Sequence, residues 1–222
     1  MIIAECGQNH MGDMELAEDL IDAARDNGAD LVKFQLYDSV KLYGEKQKQE
    51  LTMEQAGKLM NYGNEIGIEV FFSVFDTERV KWCEQLGVHR YKVAYSCRRD
   101  NVLLDAIAKT GQPCIISTSV HMNHYDLCGD IKQTKWLYCI PKYPTIFADI
   151  GLKNVSFDHI NGFSDHTVGI EASMVALSRG AQIIEKHFRL ECNPSSPDYL
   201  HSITPSELKR LALFEKAVKE IL

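Results

Sequence analysis

The sequence alternates between strand-like apolar runs and helical patterns from one end to the other. A helical pattern such as that of residues 14–27 places apolar side chains on one face and is followed by a glycine and a short loop. This alternation predicts a parallel sheet covered by helices. The strand candidates are residues 2–6, 31–36, 68–74, 90–95, 114–118, 136–140, 160–163 and 182–188. Eight strands in a chain of 222 residues predict an α/β fold, a TIM (β/α)8 barrel forming a single domain over residues 1–222.

A doubly wound open sheet is the alternative architecture, but no Gly-x-Gly-x-x-Gly turn follows the first strand. In a barrel, the side chains that carry chemistry lie at the carboxyl ends of the strands. The polar residues at these ends include Glu5, Lys33, Gln35, Ser73, Lys92, Ser117, Tyr143, Ser164, His166, Glu185 and His187. We therefore expect the functional site on that face of the barrel.

Two short strings near the C-terminus each place a histidine at the end of a strand candidate. His166 stands in Ser-Asp-His-Thr and His187 in Glu-Lys-His-Phe, with a helical stretch between them. Because consecutive parallel strands end on the same side of a sheet, both imidazoles should enter one site. Two converging imidazoles suit a divalent metal with open positions for substrate. The alternative is that each histidine is an ordinary polar residue at a strand end.

Two lysines, Lys33 and Lys92, interrupt otherwise apolar strands. A buried ammonium group is costly unless it is paired with a charge. An anionic ligand is one candidate partner, and a carboxylate inside the barrel, Glu5 or Glu185, is the other. The formal net charge of −7 argues against a nucleic-acid surface, so an anionic substrate would need cationic residues clustered locally.

Cysteine usage and hydropathy bear on the compartment. The seven cysteines show no Cys-x-x-Cys spacing, which is typical of reduced thiols rather than of a disulfide framework. No signal peptide is recognisable at the start, and no apolar run approaches the length of a membrane span. We expect a cytoplasmic protein that binds neither nucleic acid nor membrane.

Several segments together carry a family resemblance. They are Ala4-Glu-Cys-Gly-Gln-Asn-His10, Gly28-Ala-Asp-Leu-Val-Lys-Phe-Gln35, the Tyr143-Pro144 pair, the Ser-Asp-His-Thr and Glu-Lys-His-Phe strings, and Pro197-Asp198 with Ser202. In this order they resemble the sialic acid (N-acetylneuraminate) synthase family over essentially the whole chain. The resemblance implies a TIM barrel that condenses phosphoenolpyruvate with an aldehyde sugar, N-acetylmannosamine-like or a charged variant, to give a 2-keto sugar acid and phosphate. It also implies a divalent metal, typically Mn²⁺, with Mg²⁺ as the alternative.

The resemblance further implies roles for individual residues. The metal ligands would be His166 and His187. The phosphoenolpyruvate contacts would be Lys33, Lys92, Ser117 and Ser164. The sugar would face Gln35, Tyr143 and Asp198, and the catalytic acid/base carboxylate would be Glu5.

The sequence departs from the family pattern mostly at sugar-binding positions. Where the family usually has Ser-Gly followed by an acid, this chain has Ser96-Cys97 and then Arg98-Arg99. We therefore expect a different acceptor or a weakened activity, and the two arginines suggest an acceptor that carries a phosphate or carboxylate. A barrel that binds a ligand or partner without turnover stays open, as does a metal-dependent aldolase or isomerase acting on a phosphorylated sugar.

The last residue of the sequence is Leu222. The resemblance leads us to expect only the catalytic barrel, without the small antifreeze-like domain that usually follows it and helps to bind the sugar. A homo-oligomer and a separate chain that completes the site are both open.

Overall fold

The computed structural model describes residues 1–119, 131, 133–190 and 194–222. Eight parallel strands close into a barrel in chain order, so each strand pairs with its neighbours in sequence and the last pairs with the first. The strands are β1 (Ile2–Gly7), β2 (Leu31–Leu36), β3 (Glu69–Val74), β4 (Tyr91–Val93), β5 (Cys114–Thr118), β6 (Lys135–Cys139), β7 (Gly162–Asp165) and β8 (Ile183–His187). The predicted TIM barrel is confirmed.

Helices follow the strands around the outside. They are α1 (Met14–Asp26), α2 (Ser39–Tyr43), α3 (Met53–Ile66), α4 (Thr77–Leu86), α5 (Asn101–Thr110), α6 (Phe147–Ile150), α7 (Glu171–Ser178) and α8 (Pro205–Ile221). The Asp13 carboxylate caps α1 by accepting from the Glu15 and Leu16 amides, and Thr204 and Glu207 form a capping box on α8. In the described part of the chain, no helix combines the length and apolar character that a membrane span requires.

Two layers fill the inside of the barrel. The lower layer, toward the amino ends of the strands, is an apolar cluster of Ile3, Leu31, Phe71, Ile115, Leu137 and Ile183. Two residues further along the same strands stand Glu5, Lys33, Ser73, Ser117, Cys139 and Glu185. Because strand side chains alternate with period two, these residues point inward directly above the apolar layer. The apolar layer closes the barrel below, and the polar layer becomes the floor of a site.

Strand register places the polar side chains beside one another. On β1, Glu5 is paired with Lys33 of β2 on one side and with His187 of β8 on the other. On β7, Ser164 is paired with Glu185 of β8. The register therefore joins residues that are more than 150 positions apart in sequence, since residues 5 and 187 are neighbours across one ladder.

Six strands differ from their predicted bounds by one or two residues at an end, and the fourth and seventh differ most. The seventh spans Gly162–Asp165 rather than residues 160–163, because the Ile160 amide donates to the Ser156 carbonyl oxygen in the preceding turn. The fourth ends at Val93, two residues before a 3₁₀ turn over Tyr95–Cys97. This turn carries the chain across the rim of the barrel.

Candidate active site

A cavity of about 340 Å³ opens at the carboxyl ends of the strands. Its volume suits a small-molecule ligand. The ten residues that the sequence singled out all line it: Glu5, Lys33, Gln35, Lys92, Ser117, Tyr143, Ser164, His166, His187 and Asp198. The structure thus brings together side chains from six strands and three loops, and their assigned roles remain predictions.

The Lys33 ammonium lies among carboxylates and a hydroxyl. Its Nζ pairs closely with Glu5 Oε2, lies 3.1 Å from Glu185 Oε2 and donates to Ser73 Oγ at 2.8 Å. Burial alone would lower the pKa of Lys33, but the charges of Glu185 and Glu5 raise it above its ordinary value. Of the two partners considered from the sequence, the internal carboxylates are the ones in contact with this lysine.

A second lysine, Lys92, completes the charged floor. Its Nζ lies 3.8 Å from Glu185 Oε1 and donates to Ser117 Oγ at 2.7 Å. Burial lowers the pKa of Lys92, and the Glu185 charge offsets this only in part. Glu185 also accepts from Ser164 Oγ at 2.7 Å. Although burial opposes its ionisation, Lys33 and Lys92 lower the pKa of Glu185 to about 2.

The side chains predicted to face the sugar, Gln35 and Asp198, lie around one glycine, Gly7. The Gln35 side-chain amide donates to Glu5 Oε1 at 3.0 Å, and the backbone N–H of Gln8 donates to Asp198 Oδ2 at 3.2 Å. Gly7 has φ +41°, and a Cβ added there would lie 2.7 Å from Asp198 Oδ2 and 2.8 Å from Glu5 Oε1. A side chain at position 7 would therefore displace both carboxylates. Asp198 and Glu5 can therefore approach the backbone at position 7 this closely because Gly7 has no Cβ.

Two imidazoles and a phenol form the other wall, and a third imidazole packs against them. The ring centroids of His166 and His187 are 5.6 Å apart, and the Tyr143 ring lies 4.1 Å from that of His166 at a tilt of 35°. A cis peptide bond precedes the proline that follows Tyr143. His166 Nδ1 lies 2.9 Å from the Ile140 carbonyl oxygen. Burial and the nearby His187 lower the pKa of His166 to about 3, so its ring is neutral and its other nitrogen offers a lone pair.

The third imidazole belongs to His201, which the sequence analysis did not single out. Asp198 lies between two imidazoles, with Oδ2 at 3.3 Å from His187 Nδ1 and Oδ1 at 3.5 Å from His201 Nε2. Burial opposes the charged forms, but the Asp198 carboxylate raises the pKa of His187, and the two imidazoles hold the pKa of Asp198 well below its ordinary value.

These donors fit a divalent metal. His187 Nδ1 and His201 Nε2 are buried and have no hydrogen-bond partner among the described residues. Neutral or readily deprotonated imidazoles with a carboxylate are a usual donor set for Mn²⁺, Fe²⁺ and Zn²⁺. The predicted ligands His166 and His187 lie on the same wall of the cavity.

The two arginines after the 3₁₀ turn do not reach this cavity. The Arg98 guanidinium stacks 3.6 Å above the Tyr95 ring centroid and donates to the Tyr95 carbonyl oxygen at 2.6 Å. Tyr95 and Ser96 line the cavity, whereas Arg98 and Arg99 are not among its described lining residues. This geometry does not support an arginine clamp on an anionic acceptor.

Several lining residues were not named as site candidates. Glu185 was considered only as a partner for a lysine, Tyr43 comes from the short helix α2, and Phe75 and Gln8 come from loops whose path the sequence does not reveal. His201 did carry a signal, since it follows Asp198 by three residues. In a 3₁₀ turn residues i and i+3 share a face.

Comparison with known proteins agrees with this geometry. The model of the NeuB family matches residues 20–222. The N,N'-diacetyllegionaminic acid synthase of Campylobacter jejuni is 33% identical over 246 residues, covering 95% of this chain and 74% of that protein. The N-acetylneuraminate-9-phosphate synthase of Homo sapiens is 31% identical over 255 residues, covering 100% and 70%. The crystal structure of a sialic acid synthetase from Leptospira borgpetersenii, in complex with citrate, superposes with a TM-score of 0.93 at 29% identity, covering 99% and 84%.

Proposed function

This chain belongs to the NeuB family, and we propose from that premise that it condenses phosphoenolpyruvate with an aldehyde sugar in a metal-dependent reaction. The chain is a sialic-acid-synthase-like, carbon–carbon bond-forming transferase of carbohydrate biosynthesis. The observation that carries the proposal is the convergence of all ten sequence-selected residues on one cavity. The metal requirement, the residue roles and the acceptor are the proposed parts.

We assign phosphoenolpyruvate to the charged floor of the cavity. Lys33, Lys92, Ser117 and Ser164 offer two ammonium groups and two hydroxyls, which can make charge-assisted hydrogen bonds to a phosphate and a carboxylate. Burial disfavours the charged form of Lys92 in the free protein. A bound anion would restore that charge, so substrate binding and protonation of this lysine support each other.

The acceptor aldehyde would lie toward the wall formed by Gln35, Tyr143 and Asp198. We assign the metal, Mn²⁺ or Mg²⁺, to His166 and His187, where it would supply Lewis-acid polarisation of the aldehyde oxygen. The amide and phenol donors would orient the sugar hydroxyls. Tyr143 is 57% exposed, so its ring can contact a ligand that enters from solvent.

We propose that the Glu5 carboxylate stabilises positive charge and accepts a proton during the condensation. The C3 carbon of phosphoenolpyruvate attacks the aldehyde carbon and forms the new carbon–carbon bond, which leaves positive charge at C2. The Glu5 carboxylate stabilises that charge and takes a proton from the water that adds to C2, and this proton passes to the former aldehyde oxygen, which becomes a hydroxyl. The resulting tetrahedral centre expels phosphate, which takes the proton of the C2 hydroxyl, and becomes the 2-keto group. Lys33 and Gln35 hold the carboxylate in place by contacting its two oxygens.

The proposal is tested by measuring phosphate release from phosphoenolpyruvate with Mn²⁺ and a panel of neutral, phosphorylated and carboxylated aldehyde sugars. We expect release that requires both Mn²⁺ and one class of acceptor. His187→Ala should abolish it, whereas His89→Ala, at an exposed position on the opposite end of β4, should not. Phosphoenolpyruvate binding without release from any acceptor would favour the non-catalytic alternative.

We also place this enzyme in the cytoplasm. Cys6, Cys83, Cys97, Cys114 and Cys139 are all free thiols. Free thiols are typical of a reducing compartment.

A further inference from the structure

The His201 imidazole is buried beside His187 and Asp198. Its side chain is 3% exposed and that of His187 is 9% exposed. Neither His201 Nε2 nor His187 Nδ1 has a hydrogen-bond partner among the described residues, although both face Asp198. Both nitrogens instead face the two oxygens of one carboxylate, and this convergence of two imidazoles on Asp198 points to a cation that all three bind.

The three side chains have the chemistry and spacing of a cation site. One ligand atom from each of His187, Asp198 and His201 lies within 4.8 Å of the other two. His187 Nδ1 and His201 Nε2 lie 3.3 and 3.5 Å from the Asp198 oxygens, which is close to the separation of ligand atoms about 2.0–2.2 Å from a common ion. Two imidazoles with one carboxylate leave positions open for substrate oxygen atoms. The Asp198 side chain is 13% exposed, which keeps that side of the site accessible from the cavity.

The loop that carries Asp198 and His201 is fixed in place by hydrogen bonds. Asp198 precedes a 3₁₀ turn over Tyr199–His201, which places the carboxylate and the imidazole on one face. Ser202 Oγ donates to the Asp198 carbonyl oxygen at 2.6 Å and accepts from Asn9 Nδ2 at 2.9 Å. Ser196 Oγ donates to Asn9 Oδ1 at 2.5 Å. The loop after β8 is therefore tied to the loop after β1, as a preorganised ligand set requires.

We propose that His201 and Asp198 are direct ligands of the divalent cation, so that the ion is held by a two-histidine, one-carboxylate group with His187 as the shared member. The inference rests on the metal-dependent reaction proposed above and extends its ligand set beyond the histidine pair. The His166 ring centroid lies 6.3 Å from that of His201 and 5.6 Å from that of His187. Together with His166 of the pair proposed above, three imidazoles and one carboxylate would then hold the ion.

The test is Mn²⁺ binding to the metal-free protein, followed by electron paramagnetic resonance. His201→Asn should weaken Mn²⁺ binding at least tenfold, and pulsed spectra of the bound ion should lose the coupling to one imidazole nitrogen. The matched control is His159→Asn, at an exposed position, which should bind Mn²⁺ as the wild type does. Circular dichroism checks that both variants fold.

An unchanged Mn²⁺ affinity and nitrogen count in His201→Asn would overturn the inference, while acceptor-dependent phosphate release would still support the proposed function. A wild-type protein that makes product without binding Mn²⁺ would overturn both the metal requirement and this inference. If His201→Asn does not fold, pulsed electron paramagnetic resonance of Mn²⁺ bound to the wild type labelled with ¹⁵N-histidine counts the coordinated imidazoles instead. Three coordinated imidazoles agree with the inference, and two or fewer contradict it.

Discussion

At the scale of single residues, Glu185 contributes most to the charge balance of the site. It is the only described carboxylate that contacts both Lys33 and Lys92. Removing one partner of a buried ion pair leaves an uncompensated charge. We expect Glu185→Gln to lower the free energy of unfolding by about 3 kcal/mol, measured by urea denaturation at neutral pH. Glu84→Gln, at an exposed position, is the control, and an equal effect in both variants would contradict the argument.

The same residue gives a pH dependence. The pKa of Glu185 falls from 4.5 to about 2 in the folded protein. Its contribution to stability is therefore complete above pH 4.5 and is lost as the pH falls toward 2. The difference in unfolding free energy between wild type and Glu185→Gln should shrink over that interval. Denaturation curves at pH 7, 4 and 3 measure it, and a difference that stays constant would refute the assignment of this pKa.

Alanine variants at Gly7 and Gly87 distinguish the cost of backbone strain from an effect on the site. An alanine at φ +41° would be strained by about 1–2 kcal/mol and would also meet Asp198 and Glu5. An alanine at Gly87, φ +72° with nothing within 4 Å, would carry similar strain without these contacts. We expect Gly7→Ala to lose at least as much stability as Gly87→Ala, and only Gly7→Ala to lose condensation activity by a factor of 100 or more. Comparable activity in the two variants would show that Gly7 has no special role.

At the scale of elements, strand periodicity made much of the barrel predictable. The second and fifth strands begin and end at the predicted residues, and the place of Lys33 and Ser117 at the carboxyl ends of their strands pointed to the site. The partner of Lys33 was not predictable, because a ligand and an internal carboxylate satisfy an ammonium group equally well in sequence terms. The choice of Glu5 and Glu185 follows from register across the barrel.

The loop after β8 was the part of the site least accessible to sequence reasoning. Its geometry depends on the turn over Tyr199–His201 and on the links from Ser202 to Asn9 and Asp198. None of these follows from hydrophobic periodicity, which predicts only regular helices and strands. The resemblance pointed to Asp198, whereas the three-residue spacing from Asp198 to His201 gained its meaning from the 3₁₀ turn that brings His201 beside His187.

This loop yields a prediction of its own. Ser202→Ala removes the hydroxyl that ties Asp198 to Asn9, and we expect Mn²⁺ affinity to fall about tenfold, as for other residues that position metal ligands. Ser178→Ala, which removes an exposed hydroxyl bonded to the Met174 carbonyl oxygen, is the control. Calorimetric titration with Mn²⁺ measures both. Equal affinities would mean that the loop keeps its geometry without this bond.

At the scale of the whole molecule, the two internal layers of the barrel divide stability from chemistry. The apolar layer of Ile3, Leu31, Phe71, Ile115, Leu137 and Ile183 closes the lower half, and the charged floor stands on it. Although the chain carries a net charge of −7, two buried lysines at the floor offset the charges of Glu5 and Glu185. An overall acidic protein can therefore present hydrogen-bond donors to an anion without a net negative charge at the floor.

The central claim is that phosphoenolpyruvate carbons are joined to an aldehyde sugar in this cavity. It is tested most directly by supplying ¹³C-labelled phosphoenolpyruvate with Mn²⁺ and the responsive acceptor, and identifying the product by mass spectrometry. We predict that three labelled carbons enter a 2-keto sugar acid, with one phosphate released per product. Glu5→Gln should slow this by about 10²–10⁴-fold, the usual contribution of an acid/base group. Label recovered only in pyruvate, or turnover of the sugar without phosphoenolpyruvate, would contradict the account.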